Sequence, residues 1–408
     1  MILRDSWQRN LAAIWIAQMV SGMAFSFVLP FIPLYIQTLG VEGTTEAIQW
    51  AGLISAATAL SMTVVQPIWG TLADRYGRKP MVLRSTFGGF VVVGLMGFAT
   101  SPEQLLALRF IQGTITGVVA AATALVATMT PKARLGFTLG MMQVALFVGT
   151  SVGPLVGGYI ADTVGYRASF FAASAFLFAA GVIVVAFVRE DFVPPTKDNK
   201  GPGVIAGSRA LLALQGFAVL LGVVFLIQLS GVIVGPVLTL FIAELSGREN
   251  AATAAGIILA ATGVTSAVSA VVLGRLSDRV GHVRILLVCL LGAAATYFPQ
   301  SLVVSAWQLL VLRMLLGLFI GGLMPSANAL VAARVPAERR GSAYGLTAMA
   351  GSFANGVGPL AGAAIATHFG IRAVFVATSC LFVACWGWAA AGLRGEITDA
   401  RPRSPQAD

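Results

Sequence analysis

Two arginines inside long apolar stretches are the residues of this chain whose chemistry most needs an explanation. Arg109 lies in LALRFIQG at Leu106–Gly113, and Arg313 lies in LVLRMLLG at Leu310–Gly317. Placing an arginine within an apolar membrane span costs about 2.5 kcal/mol or more, so its side chain is expected to face a protein interior or water. We therefore predict a functional role for Arg109; the alternative is that it snorkels to the nearer end of its span.

The composition shows what kind of element must carry these arginines. Of 408 residues, 57% are hydrophobic and only 10% are charged, whereas a soluble domain has about 25% charged residues. The apolar stretches are about 20–30 residues long, the length of membrane-spanning helices and not of barrel strands. The sequence therefore predicts an all-α integral membrane protein. Its 3 cysteines and 2 histidines form no metal-ligand or nucleophile pattern, so we expect no metal site and no enzymatic activity.

Twelve membrane spans can be read from the apolar stretches. They cover 9–38, 47–70, 81–100, 104–130, 135–162, 167–188, 213–245, 252–274, 284–304, 306–332, 341–367 and 372–392. Most of the 26 lysines and arginines fall in alternate connecting segments, as the topology of a membrane protein requires. The net charge of +10 therefore does not indicate a nucleic-acid partner. The positive-inside rule then predicts that both termini are cytoplasmic.

One polar segment divides the chain. The stretch Arg189–Arg209 is rich in charged residues, proline and glycine and falls between the sixth and seventh spans. We therefore predict two six-helix domains, 1–189 and 213–393, joined by a cytoplasmic linker at 190–212. Residues 394–408 are predicted to form a disordered cytoplasmic tail.

An internal repeat supports this division. GTLADRYGRKP at Gly70–Pro80 recurs as GRLSDRVGHVR at Gly274–Arg284, and the stretch around Arg109 recurs around Arg313. The segment Ser151–Phe170 recurs at Gly356–Phe375. The offsets are nearly equal, and an even number of spans separates the equivalent segments, so we expect two parallel repeats related by an axis along the membrane normal.

These motifs resemble those of the major facilitator superfamily, and in particular its twelve-span drug:proton antiporters. Gly70–Pro80 resembles the family's signature between the second and third spans, Leu108–Gly113 its fourth-helix motif, and Gly149–Gly158 its fifth-helix antiporter motif. The resemblance covers nearly the whole chain. It implies a transporter whose two domains rock about a central site, giving alternating access to the two sides of the membrane.

The resemblance also implies a cytoplasmic gate that holds the two domains together in the outward-open state. Its residues in this chain are Gly70, Asp74, Arg75, Gly77, Arg78, Asp278 and Arg279. Relatives often place a carboxylate at the cytoplasmic end of the fourth helix, but Thr128–Arg134 contains none. Glu190 and Glu338 are the carboxylates that can take its place.

The fifth span carries small residues at four-residue spacing next to a proline: Gly149, Gly153, Pro154, Gly157 and Gly158. Small residues allow close helix packing, and proline bends or softens a helix. We predict a hinge at the interface of the two domains; ordinary close packing is the alternative.

Proton coupling is the role that the resemblance implies for Arg109. Arginine stays protonated, so Arg109 would act by changing the proton affinity of another group. No Asp or Glu lies at mid-depth of any predicted span. Asp74, Asp162 and Glu244, all near span ends, are the remaining carboxylates, and we take Asp74 and Glu244 with Arg109 as the proton-coupling candidates.

A substrate cavity is expected between the two domains. Its predicted lining comprises Phe25, Phe27, Tyr35, Gln112, Met142, Gln143, Gln228, Asn328 and Phe353. Aromatic and methionine side chains suit chemically varied ligands. Because no buried carboxylate is available to pair with a cation, neutral, amphipathic or anionic substrates are expected at least as often as cationic ones.

The sequence thus predicts a monomeric secondary transporter in a bacterial inner membrane that exports lipophilic or amphipathic compounds by proton antiport. It needs no cofactor beyond the proton gradient. A lipid or lysolipid flippase and a solute importer of the same superfamily are the alternatives. A receptor is disfavoured because no extramembrane domain is present to signal through.

Overall fold

A computed structural model describes residues 6–131, 134–190, 192, 214, 216–247, 250–336 and 340–393. Within these ranges the chain is helical and contains no β-strand. The all-α prediction is therefore confirmed. The predicted tail, 394–408, and nearly all of the predicted linker lie outside the described residues.

The first repeat begins with a long helix that is interrupted by a single 3₁₀ turn at Leu29–Phe31. Its helices are α1 (Ser6–Val28), α2 (Ile32–Thr38), α3 (Thr44–Tyr76), α4 (Lys79–Met96), α5 (Pro102–Ile115), α6 (Val118–Met129), α7 (Leu135–Thr163) and α8 (Tyr166–Phe187). We call this set the first repeat.

The second repeat follows the same order. Its helices are α9 (Phe217–Ile233), α10 (Gly235–Ser246), α11 (Ala251–Val280), α12 (His282–Gln300), α13 (Ala306–Arg334), α14 (Arg340–Phe369) and α15 (Ile371–Gly392). Each of the twelve predicted spans coincides with one helix or with consecutive helices. Among the described residues, 9 helical segments are long and apolar enough to cross a membrane.

Helix ends repeat between the two halves of the chain as faithfully as the sequence does. Ser101 Oγ accepts a hydrogen bond from Gln104 N, and Ser305 Oγ accepts one from Gln308 N. Glycines with positive φ end corresponding helices: Gly40 and Gly247, Gly77 and Gly281, Gly165 and Gly370. Only glycine adopts such dihedral angles freely, so the positions of these glycines in the sequence predict the turns.

The interiors of the two repeats also correspond. The Tyr35 ring packs on the Phe170 ring with 4.8 Å between centroids, and Phe241 packs on Phe375 at 5.0 Å. These side chains are fully buried. Aromatic pairs in this tilted arrangement contribute beyond their buried area, and here they join the end of α2 to α8 and the end of α10 to α15.

Corresponding glycines allow a close helix crossing inside each repeat. Gly113 of α5 lies against the carbonyl of Thr58 in α3, and Gly317 of α13 lies against the carbonyl of Thr262 in α11. A side chain at either glycine would overlap that backbone. Small residues at such crossings allow the backbones to approach closely.

The two repeats meet mainly along two helix pairs, α3 with α14 and α7 with α11, and α10 also contacts α2 and α3. We call the end of the bundle where α3 ends and α4 begins the basic end, and the other end the opposite end. The named cross-repeat contacts lie towards the opposite end: Gly52 against Pro359 and Ala363, and Gly256 against Pro154. The second contact is the image of the first under the internal repeat.

The fourth predicted span is broken, which the sequence analysis did not foresee. Helix α5 ends at Ile115 and α6 begins at Val118, with Gly117 at φ 133° between them. The corresponding helix of the second repeat, α13, continues from Ala306 to Arg334. The repeats therefore differ at this level of the bundle.

We expect the glycine crossing to be a measurable source of stability. Gly113→Ala should destabilise the protein by about 1–3 kcal/mol, the usual cost of overpacking, because a Cβ there overlaps Thr58 and Ser61. Thermal unfolding of the purified protein in detergent measures this effect.

Gly231→Ala is the matched control, because no described atom beyond its own helix backbone lies within 4 Å of the position its Cβ would take. It should leave the melting temperature unchanged or raise it, since alanine is the better helix former. Equal losses from both substitutions would contradict the proposed importance of the α3–α5 crossing.

Candidate functional site

Arg109 is buried inside the first repeat and does not snorkel to the surface. Its side chain is 3% exposed, and Nη1 donates to Gln112 Oε1 at 3.1 Å. Its Nε has no hydrogen-bond partner. Within the described part of the chain no carboxylate pairs with it, so its charge is held by a neutral amide alone.

Arg313 occupies the corresponding place in the second repeat but has different neighbours. It is 5% exposed, and its guanidinium lies 5.6 Å from the ring centre of Tyr297 and 5.9 Å from that of Phe375. Leu316 stands where Gln112 stands in the first repeat. Cation–π contacts replace the amide hydrogen bond, so the two arginines are not chemically equivalent.

A third arginine explains how the broken span is tolerated. Arg84 stacks on Trp69 at 3.5 Å and donates to the Ile115 carbonyl at 2.6 Å. Trp69 Nε1 donates to the Thr114 carbonyl at 2.7 Å. Carbonyls freed by a helix break inside a membrane need such donors. The glycine at 117 was the one sequence signal for this feature.

The loop between α3 and α4, within the predicted gate, is held by a carboxylate that follows α8. Glu190 Oε1 accepts from Arg78 N at 2.8 Å, and Oε2 accepts from Lys79 N at 2.7 Å. The Lys79 ammonium donates to the Val188 carbonyl at 2.6 Å. Gly77 has φ 96° and leaves room for the carboxylate. Glu190 therefore caps α4, where the free N–H groups favour an anion.

Asn10 fixes the segment that carries Glu190. Its amide donates to the Arg189 carbonyl at 2.9 Å and accepts from Arg189 N at 3.1 Å. The start of α1, the end of α8 and the start of α4 are thereby joined at the basic end. Nothing in the sequence analysis assigned Asn10 a role, because only the fold brings it near Arg189.

The other predicted gate residues lie at the same end and are more exposed. Arg75 is exposed, with its guanidinium 5.4 Å from the Tyr76 ring centre. Asp278 is 74% exposed, and one of its oxygens is 4.0 Å from His282 Nε2. Arg279 is exposed as well. The side chain of Asp74 and all of Glu338 lie outside the described residues.

The small residues of α7 divide between two partners. Gly149, Gly153 and Gly157 lie against the backbone of α1, whereas Gly158 lies against the carbonyl of Ala252 in the second repeat. Pro154 lies inside the helix. The motif therefore packs three of its glycines on α1, and it contacts the other repeat through Ser151, Pro154 and Gly158.

The predicted cavity residues fall into two groups. Phe27, Tyr35, Gln112 and Met142 are buried; the Tyr35 hydroxyl donates to the Met96 carbonyl at 3.0 Å, so it belongs to the packed interior here. Those with at least partial exposure are Phe25, Gln143, Gln228, Asn328 and Phe353. Glu244 is exposed at the end of α10, and the structure does not bring it into contact with Arg109.

Comparisons with known proteins agree with this geometry. The family model of the Major Facilitator Superfamily matches residues 14–226 and again 220–407. The chain is 36% identical over 389 residues to the multidrug resistance protein MdtG of Serratia proteamaculans, covering 94% of each chain. It is 37% identical to MdtG of Salmonella typhimurium, covering 94% of this chain and 95% of that one.

Solved structures with low sequence identity share the fold. An inward-facing, unoccupied bacterial homologue of the human lysosomal transporter Spinster has a TM-score of 0.80 at 16% identity, covering 98% of this chain and 100% of that chain. The human organic anion transporter MFSD10 has a TM-score of 0.67 at 19% identity, covering 95% and 100%.

We expect Glu190 to control the position of the gate loop. Glu190→Ala should lower the transport rate several-fold with little change in the substrate concentration for half-maximal rate, because the loop lies outside the predicted cavity. Glu190→Gln should be milder, since its amide oxygen still accepts one hydrogen bond.

Asn10→Ala supplies the matched test, because Asn10 and Glu190 act on the same segment. The double variant should lose little more than the worse single variant. Fully additive losses, measured as transport rates at equal protein levels, would argue against one shared anchor.

Proposed function

The chain belongs to the major facilitator superfamily, and we propose that it exports lipophilic or amphipathic small molecules from a bacterial cell by proton antiport. It is a multi-pass membrane transporter of helical fold. The proposal of multidrug efflux is supported by its likeness, over nearly the whole chain, to proteins named for multidrug resistance. We place it in the inner membrane as a monomer of twelve spans.

The basic end of the bundle is the cytoplasmic side in this proposal. Arg75, Lys79, Arg189 and Arg279 all lie there among the described residues, and basic residues flank spans on the cytoplasmic side. Both termini then lie in the cytoplasm. The opposite end, with Glu42 and Glu244, faces outward.

One observation supports the proposed rocker-switch mechanism. The helix pairs that join the repeats are in contact at the opposite end of the bundle, whereas at the basic end they carry glycines with empty space beside them, which we call open glycines. Among the described residues, no atom beyond the neighbouring helix backbone lies within 4 Å of the position a Cβ would take at Gly70, Gly140, Gly274 or Gly345. The structure then corresponds to the inward-open state. The other state requires the repeats to rotate until the basic end closes.

The spacing of residues along α3 and α14 supports closure at Gly70 and Gly345. Gly52 and Ala363 touch at the opposite end. Gly70 lies eighteen residues beyond Gly52, and Gly345 lies eighteen residues before Ala363. Eighteen residues make five helical turns, so both open glycines lie on the faces that already meet.

The second interface has the same register. Gly263 of α11 lies against Ser151 of α7. Gly274 and Gly140 are each eleven residues from that contact, about three helical turns. The internal repeat relates Gly70 to Gly274 and Gly140 to Gly345, so the two proposed closures are images of each other.

The charge of the interior bears on the substrate. Arg109 and Arg313 are buried, and the described helices contribute no buried Asp or Glu. A cation would have no carboxylate partner in such an interior, whereas an anionic or neutral amphiphile would not need one. We therefore propose neutral and anionic amphiphiles as the preferred substrates.

Transport into proteoliposomes with an imposed pH gradient of either sign tests the proposed function. A panel of dyes, drugs and lysolipids should include compounds that accumulate in the vesicles only when protons flow outward, in the direction opposite to the compound. Movement of lysolipids alone, independent of the gradient, would identify a flippase instead. Accumulation along the direction of proton flow would identify an importer.

Bulky substitutions at the open glycines test the rocker switch. Gly140→Trp and Gly345→Trp should fold normally, because no described atom of another helix lies within 4 Å of either Cβ position, but should reduce transport at least tenfold by preventing closure of the basic end. Gly387→Trp is the matched control on α15, where the glycine is equally open and lies on no interface helix. Transport by the interface variants at the control rate would contradict the closure proposed here.

Substitution of the buried arginines tests proton coupling. Arg109→Ala should abolish uphill, gradient-driven transport and leave downhill exchange. Arg313→Ala removes an equally buried charge that has no amide partner, so it should retain coupling at matched protein levels. If both variants lose coupling to the same degree, burial of charge, and not the Arg109–Gln112 pair, is responsible. Arg109→Lys should restore little if a bidentate contact is needed.

A further inference from the structure

One carboxylate of the first repeat bonds directly to the second repeat. Asp162, next to the last residue of α7, accepts a hydrogen bond through Oδ2 from Thr253 N at 2.7 Å. Thr253 is the third residue of α11. This bond lies at the opposite end of the bundle, where the repeats are packed together.

The start of α11 depends on this outside partner. Asn250, the residue before the helix, makes no capping hydrogen bond with its side chain, and the first turn holds no acidic residue. The first N–H groups of a helix have no partner within the helix and carry a partial positive charge. The Asp162 carboxylate supplies both an acceptor and a compensating negative charge.

The corresponding place at the other interface lacks this arrangement. Thr367 of α14 is the equivalent of Asp162, and its hydroxyl is buried without a hydrogen-bond partner. The equivalent of α11 is α3, which has its own acidic residue, Glu46, in its first turn. The repeat thus preserves the helix packing at both interfaces but places a carboxylate across only one of them.

We infer that Asp162 is a latch between the repeats that stabilises closure of the opposite end. Neighbouring contacts confine the latch to the closed arrangement: one turn earlier, Gly158 lies against the Ala252 carbonyl, and Gly256 lies against Pro154. When α7 and α11 separate at this end, the carboxylate loses its donor. The inference rests on the alternating access proposed above, with the opposite end facing outward.

Thiol accessibility measures the latch directly. The three native cysteines, Cys289, Cys380 and Cys385, are replaced, and Ala252, which is fully buried beside the latch, is changed to cysteine. Alkylation by a membrane-impermeant maleimide applied from outside then reports opening of this end. Asp162→Ala should raise the alkylation rate about three- to tenfold, as expected for loss of a charge-assisted hydrogen bond at a half-buried site.

Asp162→Asn should give an intermediate rate, because its amide oxygen still accepts the hydrogen bond but the charge is gone. Thr367→Ala is the matched control and should leave the rate unchanged. Size-exclusion profiles and melting temperatures identify any variant that fails to fold, and Asp162→Asn keeps the test valid if Asp162→Ala is such a variant.

An unchanged alkylation rate in both Asp162 variants would overturn the latch. So would an equal increase in the Thr367 control, since that would indicate general loosening. The assay needs neither substrate nor a proton gradient, so failure of the proposed efflux function would leave its result intact, and failure of the latch would leave the transport assays to be judged separately.

Discussion

Helices from the two repeats can approach backbone to backbone only where no side chain stands between them, and the architecture depends on this constraint. Gly158 against the Ala252 carbonyl and Gly256 against Pro154 leave no room for a Cβ. Contacts of this kind bring α7 and α11 close enough for Asp162 to reach the start of α11.

The repeats share this frame but have diverged in their polar chemistry. Arg109 bonds to an amide, whereas Arg313 lies over aromatic rings. The fourth span of the first repeat is broken and supported by Arg84 and Trp69, whereas α13 is continuous. These differences give the two repeats different polar interiors.

At the basic end, anchoring is internal to the first repeat. Glu190 and Asn10 bind the α3–α4 loop to the ends of α8 and α1, so the loop moves with its own repeat. At the opposite end, the Asp162 bond crosses between repeats. Carboxylates therefore have two separate uses here: Glu190 stiffens one repeat, and Asp162 joins the two repeats. Both uses exploit the same attraction between an anion and a helix N-terminus.

The sequence alone determined the helical membrane fold, the twofold repeat and the family, because apolar length, basic flanks and glycine-rich turns are local properties with strong physical consequences. It also singled out Arg109 and named Glu190 as one of two substitutes for a missing carboxylate. Only the tertiary structure decided that Glu190 accepts from Arg78 and Lys79 while Asn10 bonds to Arg189. It also decided that Arg84 serves a broken helix and that Asp162 crosses to Thr253. These partners are 31 to 179 residues apart along the chain, and hydrogen bonding at such separations is set by how helices pack, which no local pattern encodes.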